Sequence, residues 1–148
     1  MKRHIATLIP ALGLAAALCT PAYADDLEMM AGKWSAKKTN DEGKQYNQQL
    51  EIKKNKFTFQ VKDADGDTRL YAEGEVKLDK TGPFKTISFT NIKAGQSSSD
   101  ADPIDDTYTS IYKIGEDDTL LVVQNFDKER DGQKPSLDVY HKAKQAQK

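Results

Sequence analysis

Between Trp34 and His141 the apolar residues recur mostly at spacing two, with polar residues between them, as a strand with one covered and one wetted face requires. Phe57, Phe59 and Val61 alternate with Thr58 and Gln60. Leu70, Ala72, Gly74, Val76 and Leu78 alternate with Tyr71, Glu73, Glu75 and Lys77. Ile87 and Phe89, then Tyr108, Ser110, Tyr112 and Ile114, then Leu120, Val122 and Gln124 follow the same rule, and Leu137, Val139 and His141 close the series. Residues 119–123 are apolar on both parities, which predicts a strand covered at least locally on both faces.

Runs beginning near Gly32, Gln48, Lys56, Thr68, Lys85, Asp106, Thr119 and Leu137 give eight strands. The turn signals between them, such as Lys54-Asn55, Asp65-Gly66-Asp67 and Lys80-Thr81-Gly82-Pro83, accept positive φ or bond their own backbone, so hairpins join most neighbours. Short strands at this spacing predict an all-β, antiparallel barrel or sandwich. Residues 25–31 stand outside the pattern and predict one helical turn capped by Asp25 or Asp26. Residues 94–105, rich in Ser, Asp and Gly, read as a long polar loop.

The first residues have a different logic. Lys2 and Arg3 precede an apolar run over 5–18, and Ala22-Tyr23-Ala24 offers small residues at the two positions a signal peptidase reads. That run is too short to span a bilayer, which takes roughly 20 residues, and no second one follows. We therefore expect residues 1–24 to be a removed signal peptide, 25–143 one domain and 144–148 a polar tail, with the product periplasmic or secreted. Leu18 precedes Cys19 where lipoprotein processing wants a small residue, which argues against lipidation. Cleavage removes Cys19, His4, Lys2 and Arg3, so a formal charge of -1 becomes -3 and His141 is the one imidazole left. A mildly acidic domain with interspersed signs has no electrostatic footprint for nucleic acid. Cysteine nucleophiles, thiolate-held zinc and disulfides are excluded from the mature chain.

Gly32-Lys33-Trp34 has the Gly-x-Trp form that opens lipocalin-type barrels, in which the tryptophan plugs one end. Met30-Ala31-Gly32-Lys33-Trp34, Lys56-Phe57-Thr58, Gly74-Glu75-Val76-Lys77-Leu78-Asp79, Lys85-Thr86-Ile87, Ile111-Tyr112-Lys113-Ile114 with Asp118-Thr119-Leu120, and Lys134-Pro135 extend the likeness. In pattern and spacing the mature chain resembles a family of small exported bacterial proteins with a lipocalin-like domain of unknown function. The resemblance implies an eight-stranded lipocalin-like (calycin-type) barrel with a short N-terminal helical turn. Lipocalins proper carry an arginine over the tryptophan, where this chain offers Lys142 or Lys144, a cation with poorer stacking.

Other chemistry finds little footing. Asp63, Asp65 and Asp67 alternate as the first ligands of a calcium loop do, but the sixth and twelfth places hold Thr68 and Gly74 and the flanks read as strands. Asp100, Asp102, Asp105 and Asp106 cluster in the long loop without a spacing that fixes a geometry. His141 has no glycine-flanked serine with which to form a hydrolase triad, and no phosphate-binding glycine loop is present. The expectation is a non-catalytic domain without a cofactor that binds a small apolar molecule inside the barrel, lined by Trp34, Phe57, Phe59, Leu70, Val76, Phe89, Tyr112 and Val122. The alternative is an envelope protein-interaction module whose barrel is filled by side chains and which acts through its loops.

Overall fold

The computed structural model describes residues 23–126, 132 and 134–144. A short helix α1 (Ala24–Met30) precedes β1 (Gly32–Thr39), β2 (Gln45–Lys53), β3 (Lys56–Asp63), β4 (Thr68–Thr81), β5 (Phe84–Gly95), β6 (Asp102–Pro103), β7 (Tyr108–Ile114), β8 (Thr119–Gln124) and β9 (Ser136–Lys142). Neighbours pair antiparallel in the order β1-β2-β3-β4-β5-β7-β8-β9, and β9 returns to β1, so eight strands close a lipocalin-like barrel. The leader lies outside the described residues apart from its last two, as do Cys19 and the tail beyond Lys144. Among the described residues no helix is long and apolar enough to cross a membrane.

Each long strand starts within three residues of the position the alternation predicts. Residues 94–105 differ from the expected loop, because Asp102 and Pro103 pair with Ala94 and Lys93 as β6. The cause lies in β5, whose ladder to β7 covers only Thr86 to Phe89 and leaves its second half an open edge. The polar segment folds back over that edge, where Pro103 has no N–H to sacrifice, and Ile104 N donates to Ile92 O at 2.9 Å.

Inside β5 the alternation changes phase. Glu73 pairs with Lys93 and Glu75 with Thr90, so one β4 residue, Gly74, opposes two on β5. Asn91 takes φ 51° in this bulge, a conformation asparagine tolerates better than most residues. Ile87 and Phe89 face inward before it, Ile92 and Ala94 after it. Gly74 is needed for close approach: a Cβ there would sit 2.6 Å from Thr90 O and 2.8 Å from Phe57 Cε1.

α1 plugs one end of the barrel. Its expected aspartate cap is absent: Tyr23 is the N-cap, with no side-chain bond, while Asp25 and Asp26 occupy the first turn and favour the helix dipole. Asp26 turns into the barrel end and accepts from Tyr112 Oη at 2.6 Å and Lys85 Nζ at 2.8 Å. Burial works to raise the Asp26 carboxyl, but those two bonds and the Lys85 charge outweigh it and hold the group below the usual carboxylate range. Met30 and Trp34 are sealed from solvent, and Trp34 Nε1 donates to Met30 O at 2.8 Å. Gly32 makes the bend between them at φ 118°, closed to most side chains. Lys142 Nζ lies 5.2 Å from the centre of the Trp34 ring and donates to Met29 O at 3.2 Å, so of the two lysines considered for that place Lys142 supplies the cation over the indole.

Gly74→Ala should lower stability by about 1–3 kcal/mol, because a backbone carbonyl and an aromatic ring would both have to shift; the drop is read from the urea midpoint. Tyr112→Phe should lose about 1–3 kcal/mol at neutral pH, where Asp26 is ionised in folded and unfolded chains alike. A carboxyl held low in the fold loses its stabilising effect as pH falls from its unfolded pKa towards its folded one. The gap between wild type and variant should therefore shrink below about pH 4 in urea titrations.

Candidate functional site

The closed half is filled by the buried cluster of Met30, Trp34, Ile52, Val76, Ile87, Tyr112 and Leu120, whereas the mouth half holds a cavity of about 410 Å³ that opens at the rim. Phe57 and Phe89 meet edge to face at 4.8 Å in its wall. Above them Phe59, Val61, Leu70, Ala72, Ile92 and Ala94 continue an apolar wall from β3, β4 and β5. Ala72 and Ala94 are too small to fill the space left between strands. Leu70 and Ile104, 40% and 38% exposed, carry the apolar lining out to the rim.

Of the residues expected to line such a space, Phe57, Phe59, Leu70, Phe89 and Val122 do. Trp34, Val76 and Tyr112 do not. They are inward-facing but belong to the closed half, where Trp34 is fixed to Met30 and Tyr112 to Asp26. Alternation assigns a side chain to the interior but not to a level along the barrel axis, and that is why the three were grouped with the rest.

The last strand overturns the sequence reading. In β9 Asp138 and Tyr140 point inward at 3% exposure each, while Leu137 and Val139 face outward at 52% and 41%, and His141 is exposed. His141, which the alternation with Leu137 and Val139 would place in the core or at a barrel end, thus lies at the plugged end but faces solvent. The inward polar positions are stabilised by partners on neighbouring strands. Lys38 Nζ bonds Asp138 Oδ1 in an ion pair, and Gln124 Nε2 donates to Asp138 Oδ2 at 2.7 Å. Tyr140 Oη donates to Gln48 Oε1 at 3.0 Å, reaching past β1 where Ala36 is small enough to allow it. Burial first, and then the neighbouring Asp138 charge, push the Tyr140 phenol well above its ordinary value, so it remains a donor.

Of these residues Gln48, Gln124 and Tyr140 line the cavity from β2, β8 and β9, together with Ser110 on β7 and Asn125 just after β8, while Lys38 and Asp138 stand behind them. Sequence reasoning passed over Lys38, Gln48, Asp138 and Tyr140. A signal was present in Gln48, which shares parity with Leu50 and Ile52, and in Gln124, which shares it with Leu120 and Val122. Polar side chains in an apolar phase mark interior hydrogen-bonding positions.

Two of the carboxylates weighed as cation ligands, Asp63 and Asp100, are engaged within their own turns. Asp63 Oδ1 accepts from Asp65 N at 3.1 Å and Asp67 N at 3.0 Å, and its other oxygen is paired with Arg69. Asp100 accepts from Ser97 N and Ser97 Oγ, both at 2.5 Å, which closes the turn after β5. Among the described residues no three potential metal ligands converge. The connections over 40–44, 64–67 and 96–107 all lie at the mouth and carry eight carboxylates against one cation, Lys44. A second hollow, of about 280 Å³, lies among outward-facing polar side chains of β1–β3, including Lys33, Gln49, Glu51, Thr58, Gln60 and Lys62, with no converging set of groups.

Lys38→Met should cost about 3–5 kcal/mol, because the Asp138 charge would stay buried without its partner. The double variant Lys38→Met/Asp138→Leu should recover most of that loss, as a double-mutant cycle from urea unfolding would show. The chain matches no protein-family model, no curated protein and no solved structure at a significant level.

Proposed function

We propose that this domain is an exported, non-catalytic carrier that holds a small, mainly apolar molecule in the mouth half of its barrel. The observation that carries the reading is the cavity itself. At about 410 Å³ it lies within the range of small-molecule pockets, towards the lower end, which favours a compact ligand over a long lipid chain. Its aromatic wall supplies apolar contact, and its rim is apolar at Leu70 and Ile104.

The non-catalytic part of the reading is supported by the lining, which among the described residues is Gln, Asn, Ser, Thr, Tyr and apolar side chains. No carboxylate, imidazole or amine stands in that wall to move a proton near neutral pH. Tyr140 is held protonated, and the one buried ion pair beside the wall is internally neutralised. The competing interaction module with a filled barrel has the cavity against it. Export, to the periplasm or beyond, rests on the leader pattern of residues 1–24.

Nile red, a neutral dye that brightens in apolar surroundings, provides the test. The purified domain should bind it saturably at one site, and Ala94→Phe, which places a ring in the cavity, should weaken binding at least about tenfold while the domain stays folded by circular dichroism. Absence of saturable binding, or binding indifferent to the added ring, would overturn the reading.

A further inference from the structure

We infer that the ligand is an uncharged molecule with an apolar, ring-like body and a hydrogen-bonding group of the amide or hydroxyl kind, read by Gln48 and Gln124. The inference rests on the carrier reading above and specifies its ligand. The cavity is two-faced. Phe57, Phe59 and Phe89 offer flat apolar surface, and Gln48, Gln124 and Tyr140 bring polar groups into the same lining from β2, β8 and β9.

The polar side is neutral because its charges cancel within the fold. The ammonium of Lys38 is taken up by Asp138, and the second oxygen of that carboxylate accepts from Gln124. What the wall still offers is two amide ends. Gln48 uses its carbonyl to accept from Tyr140, and its N–H groups stand outside that bond. Gln124 uses its N–H towards Asp138, and its carbonyl stands outside that one. A donor end at Gln48 and an acceptor end at Gln124 each suit a ligand group of the amide or hydroxyl kind, which can accept or donate.

Charge discriminates in the same direction. A ligand carboxylate would meet no free cation in the lining, since Lys38 is already paired. A ligand ammonium would find Asp138 already occupied. An uncharged polar group meets neither penalty. A body with no polar group would cover the two amide ends with apolar surface and displace the water they otherwise bond, which costs affinity.

Three probes of one shape separate the possibilities: 2-naphthamide, 2-naphthoate and naphthalene, each used to displace Nile red at pH 7. We expect the amide to bind at least about tenfold more tightly than the carboxylate and several-fold more tightly than naphthalene. In proton–nitrogen spectra of the wild-type protein the side-chain amide signals of Gln48 and Gln124 should shift with the amide and much less with naphthalene. Gln48→Met should remove most of the amide's advantage over naphthalene; if that variant does not fold, the wild-type spectra answer the same question. Equal or tighter binding of 2-naphthoate, or equal binding of amide and naphthalene, overturns the inference and leaves the carrier reading standing. If Nile red and all three probes fail to bind, both fall.

Discussion

The bond from the Trp34 indole to the carbonyl of Met30 fixes the helix against the first strand, and the rest of the barrel is organised around that junction. Gly32 permits the bend that makes the bond geometrically possible, and Lys142 reaches over the ring from the last strand. First and last strands are thereby joined through one aromatic side chain. The helix also brings Asp26 into reach of Tyr112 and Lys85, which ties the plug to the far side of the barrel. Burying an indole, a methionine and several branched aliphatic side chains in one cluster accounts for a closed end without free space.

The mouth half follows from what that cluster leaves behind. An eight-stranded barrel has an interior just wide enough to be filled by side chains or to hold one small ligand, so small changes in side-chain volume decide which. Here the inward positions above Phe57 and Phe89 include Ala72, Ala94 and Ala36, and the bulge at Asn91 keeps Ile92 and Ala94 on the inner face. Volume is withheld at the mouth and supplied at the plug. The same strands serve both levels, so stability and cavity are drawn from separate segments of each strand.

Much of this was legible in the residues. The positions of eight strands follow from alternation and turn chemistry, and Gly32-Lys33-Trp34 marks the closed end. The rest depended on long-range partners. Nothing local to Asp138 announces an inward carboxylate, because its acceptability comes from Lys38, a hundred residues earlier. The phase change in β5 rests on a single asparagine at positive φ, and β6 exists because β7 leaves an edge uncovered. Cavity residues were recognised where they are large and apolar. Leu50, Val61 and Ile92 were passed over all the same, and so were Gln48 and Tyr140, since polar residues in a strand read by default as solvent-facing.

The inverted last strand has a bearing on how the barrel closes. Its ladder to β1 comprises only Trp34 with Lys142 and Ser35 with His141, both at the plugged end. Nearer the mouth the two strands are joined by the Lys38–Asp138 pair, and Tyr140 reaches across β1 to β2 at Gln48. A slip of one residue would turn Leu137 and Val139 inward and satisfy hydrophobic patterning better than the native register does. The register is therefore selected by charge and hydrogen bonding, where the other strands are selected by burial. The seam with the fewest backbone bonds is also the wall that faces the cavity. Whatever occupies that space leans on the joint where the barrel opens most readily, so an occupant that bonds to the wall acts as a clasp on the fold itself.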